Sequence, residues 1–225
     1  MSEKLLGKLI VCNVLPEQRR PFSIAQQAWH KTALSRGFVG QLGGWRQNQT
    51  EPDNPSANQS VILALWQNRQ CLDHFMNHLH DEIYEQSAQK NTYLNCKIAF
   101  LNRLLIIPAE QGSESTVGAK PALMRMSDCE VLPGRVEHFI EAQKNVWNPN
   151  MAQAKGMMGG HFWQFSGQDE AQSNRFLVTT FWQDQSCHDL YVEQHLPLLK
   201  VQAEVELDIK TISGGVVELE QSWRI

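Results

Sequence analysis

The chain has 225 residues, 42% apolar and 20% charged, the balance of a globular protein able to build one large core or two of ordinary size. A formal net charge of −4 without a basic cluster excludes electrostatic binding of nucleic acid. No apolar run is long enough for a membrane helix, and the opening residues are too polar for a signal peptide, so a cytoplasmic location is expected.

In chain order, residues 8–14 read as a strand that Leu15-Pro16 ends. Pro21 suits a helix start. Phe22, Ala25, Gln26, Trp29 and Ala33 then follow i, i+3, i+4, i+7 and i+11, one stripe of an amphipathic helix that Gly37 closes. Strands are expected at 39–46 and 60–66, with a polar surface loop over 47–59. A second helix begins at Asn68 with Leu72, Phe75, Met76, Leu79 and Ile83 on one face, and a fourth strand covers 96–107. Pro108 to Pro121, rich in Gly, Ser and Glu, reads as a linker.

The motifs then recur. Cys129-Glu130-Val131-Leu132-Pro133 repeats Cys12-Asn13-Val14-Leu15-Pro16 at an offset of 117 (129 − 12), and Phe139-x-x-Ala142-Gln143 repeats Phe22-x-x-Ala25-Gln26 at the same offset. Gly156-Met157-Met158-Gly159 answers Gly37-Phe38-Val39-Gly40 at 119 (156 − 37), and Phe181-Trp182 with Cys187 answers Leu65-Trp66 with Cys71 at 116 (182 − 66). A near-constant offset through four motifs indicates a tandem duplication. The second copy is expected to place strands at 122–129, 159–165 and 175–182, helices at 136–147 and 185–194, and a final strand from about Val205. Pro197 should end or kink its second helix near His195. Val216 to Leu219 is one more strand-like run, expected as an extra edge strand.

The order β-α-β-β-α-β, met twice, is the ferredoxin-like plan. The fold class is therefore α+β: two tandem ferredoxin-like repeats, 1–107 and 122–225, joined by the linker 108–121 and packing sheet to sheet as an intramolecular pseudo-dimeric α/β barrel. On these residues the chain resembles the tandem-fused dimeric α/β-barrel proteins of the antibiotic-biosynthesis-monooxygenase superfamily. Phe22-x-x-Ala25-Gln26-x-x-Trp29 followed by Gly37-Phe38-x-Gly40-Gln41-x-Gly43-Gly44-Trp45 resembles, more narrowly, the YdbC-like proteins.

Gln26 and Gln143 lie on the apolar stripe of their helices, where a buried amide needs a partner. Each either bonds a neighbouring group where helix meets sheet or faces a pocket. Ligand-binding candidates are Gln26, Trp29, Gln41 and Trp45 in the first copy, and Gln143, Trp147, Trp163 and Trp182 in the second. For the tryptophans the alternative is core packing. His74 and His78 are spaced i, i+4 but have no third ligand, so no metal is expected. His78 and His80 fall about 160° apart on a continuous helix, each read as a solvated flank. His161, following the second glycine pair, is a candidate residue inside the barrel. The five cysteines, never spaced C-x-x-C, read as small buried hydrophobes.

Some members of the superfamily degrade haem with an Asn, a Trp and a His. The resemblance implies Asn13, Trp66 and His78 or His80 for these roles, with Glu130 replacing the Asn in the second copy. No cofactor is otherwise expected, haem entering only through the resemblance. The implied function is that of a small-molecule-binding protein, an oxygenase-like enzyme acting on an aromatic or other apolar substrate. The alternative is a non-catalytic binding or stress-associated protein. The expected partner is a small-molecule ligand, with no nucleic acid, no membrane, and self-association left open.

Overall fold

In this computed structural model the described residues are 5–47, 58–110, 120–167 and 174–225. They divide into two compact units, Met1–Asn102 with Val217–Ile225, and Arg103–Val216. Most of the predicted loop 47–59 and linker 108–121 lies outside the described residues.

The first unit contains β1 (Leu6–Asn13), β2 (Phe38–Arg46), β3 (Gln59–Trp66) and the start of β4 (Asn95–Ile107). They pair antiparallel in the order β4-β1-β3-β2. The helices are α1 (Arg19–Gln27), α2 (Arg69–His78) and α3 (His80–Ser87). The second unit repeats the plan with β5 (Leu123–Val131), β6 (Met157–Phe165) and β7 (Arg175–Trp182). Its helices are α4 (Val136–Ala142), α5 (Asn148–Met151), α6 (Gln185–Gln194), α7 (Leu196–Gln202) and α8 (Val205–Asp208), followed by β8 (Ile209–Leu219). In the second unit the strands pair antiparallel in the order β5-β7-β6. Strand β3, Gln-Ser-Val-Ile-Leu-Ala-Leu-Trp, is buried on both faces after its first residue, which accounts for its unbroken apolar run.

The duplicated Gly and Cys have one joint explanation. Gly37 and Gly156 take positive φ (74° and 73°), where L side chains are strained. A Cβ on Gly37 would also meet Cys71 Sγ at 2.3 Å, and one on Gly156 would meet Cys187 Sγ at 2.5 Å. Each glycine therefore closes its first helical segment against the second helix. That helix starts at an N-cap, Asn68 or Asp184, whose side chain accepts from Cys71 N or Cys187 N.

Several elements differ from the periodicity. The first helix gives way after Gln27 to a 3-10 segment, Ala28–Leu34. With three residues per turn, position i+3 from Trp29 comes inward, so Thr32 is buried and Ala33 is exposed. The second helix breaks at Leu79 (φ −129°), so His78 and His80 belong to different helices and the 160° separation does not apply. In the second unit a π-helical stretch, Gln143–Trp147, falls in the interval where the repeat offset grows from 117 to 119. Val205 opens one turn of helix, and β8 starts at Ile209. Val216 to Leu219 is the end of β8 and not an extra strand, and its last residues pair with Gly44–Arg46 of β2.

The C-terminal residues then strap the first unit. Ile225 exchanges two backbone hydrogen bonds with Gln41, and the fully buried Trp223 donates its indole N–H to Ser23 Oγ at 2.9 Å while packing on Phe22 and Trp45.

Candidate functional site

Successive strand residues face opposite sides of a sheet, so Lys8, Ile10 and Cys12 of β1 share the face under the helices. The core on that face forms two clusters. One gathers Leu6, Ala64, Trp66, Leu72, Phe75 and Ile83, the other Cys12, Val14, Phe22, Trp45, Ile62 and Trp223. Members of both clusters wall a cavity of about 260 Å³. Its lining includes the predicted Gln26, Trp29, Gln41, Trp66 and His80.

One wall is a polar chain. Trp29 Nε1 donates to Gln89 Oε1 at 2.6 Å, and Gln89 Nε2 donates to Gln26 Oε1 at 2.8 Å. Ala88, in the left-handed conformation (φ 52°), turns the chain so that Gln89 reaches back under α1. Gln41 Nε2 donates to Trp223 O at 3.3 Å, which ties the C-terminal strap to the cavity. Tyr84 and Tyr93 hydrogen-bond through their hydroxyls at 2.7 Å.

The ionisable groups on the cavity are Lys8, His80, Cys12, Cys96 and the two tyrosines. Lys8 is 5% exposed, its Nζ 3.3 Å from Met76 Sδ, and burial pulls its pKa down to about 8. His80 rests against the rings of Trp29, Phe75 and Tyr84. Burial lowers its pKa, against the hydrogen bond to Asp81 that raises it. A carboxylate can only accept, so the 2.8 Å contact of Nδ1 with Asp81 Oδ1 places the ring proton on Nδ1 and leaves Nε2 as the basic nitrogen. Cys12 and Cys96 face each other across β1 and β4. The hydrogen bond between them raises the Cys12 pKa and lowers that of Cys96.

The corresponding cavity in the second unit holds about 60 Å³. Arg125, Ser127 and Cys129 stand where the first unit has Lys8, Ile10 and Cys12 (offset 117), and Leu196, Lys200, Ile209 and Ile212 replace His80, Tyr84, Tyr93 and Cys96 (offset 116). Here the core is one cluster running from Cys129 and Phe139 through Phe176 and Val178 to Trp182 and Tyr191. Gln143 Nε2 donates to Asn148 Oδ1 at 2.7 Å, and Asn148 Nδ2 to Ile106 O at 3.2 Å.

A family model described as a domain of unknown function, DUF4937, matches residues 6–101, nearly the whole of the unit with the larger cavity. The uncharacterized protein YdbC of Bacillus subtilis (strain 168) is 35% identical over 94 residues, covering 42% of this chain and 75% of that protein. The chain belongs to the YdbC family. Around this YdbC-family sequence, solved structures share the fold along almost its full length. Two proteins named "putative monooxygenase" match, one from Lactobacillus acidophilus NCFM (15% identity, TM-score 0.71, 99% of each chain) and one from Fusobacterium nucleatum (11%, 0.74, 97% of this chain and 94% of that one). An anthrone oxidase-like protein matches at 10% identity and TM-score 0.70 over 97% of this chain and 92% of its own. At these identities the likeness is one of fold.

The remaining predicted residues of the YdbC-family chain lie elsewhere. Trp45 packs with Phe22 and Trp223 beneath the Arg19 guanidinium, off the cavity lining. Trp147 and Gln143 line the small cavity of the second unit. Trp182 donates to Thr180 Oγ1 at 3.0 Å within the core, and Trp163 to Thr179 Oγ1 at 2.9 Å. Trp163 and His161, two apart on β6, share the face away from Phe162 and the helices. His161 is 3% exposed with neither ring nitrogen bonded, and burial first, then Arg103, lowers its pKa to about 3. It is a neutral buried ring.

The residues implied for haem do not come together. Asn13 lies next to Cys12 and so points to the opposite face, where its amide bonds Asn95 Oδ1 at 2.8 Å. His78 is exposed against His74. Only Trp66 and His80 of that set reach the cavity, and His80 is not the solvated flank that a continuous helix implies. Among the described residues no cluster of three or more His, Cys, Asp or Glu is placed for a metal, and no helix is long and apolar enough to cross a membrane. Sequence reading missed Lys8, Thr32 and Gln89. Lys8 had a visible signal, a lone charge in the apolar run Leu5 to Cys12 in phase with Ile10 and Cys12. Thr32 and Gln89 had none, since a 3-10 segment and a left-handed Ala88 place them.

Proposed function

We propose that this is a small-molecule-binding protein of oxygenase-like type whose working site is the cavity of the first unit, the second unit being its closed counterpart. The observation that carries the reading is the contrast of about 260 Å³ with about 60 Å³ at duplicated positions. The larger volume exceeds the roughly 150 Å³ that suffices for a benzene ring in an apolar cavity, and its walls carry the aromatic rings of Trp29, Trp66, Phe75, Tyr84 and Tyr93. His80 supports the enzymatic form of the reading. Its uncharged imidazole, oriented by Asp81, is suited to take a proton from an acidic C–H beside an aromatic ring. The resulting carbanion can pass electrons to dioxygen without a cofactor.

Anthrone is the natural probe, since an anthrone oxidase-like protein shares the fold. Its methylene carbon loses two hydrogens and gains one oxygen atom from O2, the other leaving as water. Oxygen uptake with formation of anthraquinone, abolished in His80→Ala, is the expected result. Ligand binding with no oxygen uptake for any such substrate would instead favour the non-catalytic alternative.

A further inference from the structure

Three polar groups around the first cavity lack a polar partner, and for one of them, Trp66, the second unit shows the bond that would satisfy it. Trp66 Nε1 is buried without an acceptor, whereas its counterpart Trp182 donates to Thr180 Oγ1. Position 64 (180 − 116) holds Ala, so the acceptor is missing. Thr32 Oγ1 is likewise buried and unbonded on the cavity wall. Lys8 carries an ammonium whose one hydrogen bond goes to the Met76 thioether; the Cys96 thiol and His80 lie near it, and among the described residues no carboxylate pairs with it. A buried cation is normally paired, so an unpaired one on a cavity wall marks the place of an anion brought by the ligand.

The geometry points to a flat aromatic carboxylate as the ligand of the first unit, its carboxylate on Lys8 Nζ and its ring among Trp29, Trp66, Phe75 and His80, with Trp66 Nε1 and Thr32 Oγ1 as further donors. This deepens the proposed function and rests on the same cavity. A monoanion matches the single cation. A phosphate dianion would bring a second charge to a lining that has no second permanent cation to meet it.

The test is calorimetric titration of the full chain with cinnamate and its neutral amide, cinnamamide. Cinnamate should bind once per chain and at least about tenfold more tightly than the amide, the margin of a charge-assisted hydrogen bond. Lys8→Met should remove that preference by weakening cinnamate alone, and Lys8→Arg should keep part of it. Equal affinity of the two probes for the native chain needs no variant to interpret. It would overturn the carboxylate while leaving the cavity reading intact. Binding of neither probe would overturn both. A preference that survives in folded Lys8→Met would overturn the role of Lys8.

Discussion

Ala64 lies directly across the β1–β3 ladder from Lys8, and in the second unit the same cross-strand pair is Thr180 with Arg125. Exchanging threonine for alanine opens space above the sheet and deprives an indole N–H of its acceptor. Packing thus differs between the two repeats at one position of a duplicated fold.

Restoring the threonine should reverse both effects. Ala64→Thr is expected to supply Trp66 Nε1 with an acceptor and raise stability by about 1 kcal/mol, the net worth of a buried hydrogen bond. It should also narrow the cavity and weaken cinnamate. Melting temperature and titration read the two effects separately. A variant that gains stability yet binds as tightly as the native chain would move the ligand away from Trp66.

Lys8 makes a pH-dependent prediction. Its folded pKa of about 8 lies below the ordinary 10.5. Between these values the unfolded chain holds a proton that the folded chain lacks, so stability rises with pH across that window. Below about pH 8 both states are protonated and the full cost of burying the ammonium is present. Lys8→Met should therefore be more stable than the native chain at pH 7, by up to about 3 kcal/mol, and the advantage should shrink towards pH 10.5. Cys12, Cys96, His80, Tyr84 and Tyr93 also line this cavity. Because Cys96 titrates nearby, the comparison is best made in Cys96→Ser. Denaturant unfolding across pH checks it, and a constant difference at all pH values would contradict a buried charged amine.

The duplicated motifs made the architecture readable because Gly37 and Gly156, Cys71 and Cys187, and the N-caps Asn68 and Asp184 are local devices with sequence signatures. The cavity was readable only in part. Gln26, Trp29 and Gln41 were found through a helical stripe and a glycine-rich strand. Thr32 and His80 depended on where regular helix gives way to a 3-10 turn and to a break at Leu79, and periodicity assumes neither. Trp45 misled because its partner is Trp223, far along the chain in a tail whose docking leaves no pattern in the sequence. Which repeat keeps an open cavity depends on side-chain volumes at several paired positions together, which no single motif records.

The two glutamines should now separate. Gln26 accepts from Gln89 on an open cavity, whereas Gln143 donates to Asn148 beside a nearly filled one. Gln26→Leu and Gln143→Leu should each cost about 1–3 kcal/mol through the partner left unpaired. Only Gln26→Leu should also weaken ligand binding, since Gln89 would no longer be held against Trp29. Melting temperatures with cinnamate titrations decide it. Equal loss of affinity in both variants would mean that the site is not confined to the first unit.

The last prediction concerns Cys12 and Cys96, which face each other in register on β1 and β4. Directly opposed antiparallel residues have Cα atoms about 4.5–5.5 Å apart, inside the roughly 4.4–6.8 Å range of disulfides. The hydrogen bond between the thiols lowers the Cys96 pKa, which favours the thiolate needed for attack. Diamide should therefore join them, the two thiols giving two electrons and two protons to its N=N bond as the sulfur–sulfur bond forms. Peptide mapping without reductant should find Cys12 linked to Cys96, with Cys71, Cys129 and Cys187 unbridged. The second unit cannot copy this, because Ile212 stands where Cys96 does (212 − 116). Cinnamate should slow the reaction if it fills the space that both thiols line. Oxidation at an unchanged rate under saturating cinnamate would mean that the ligand and the thiols do not share a cavity.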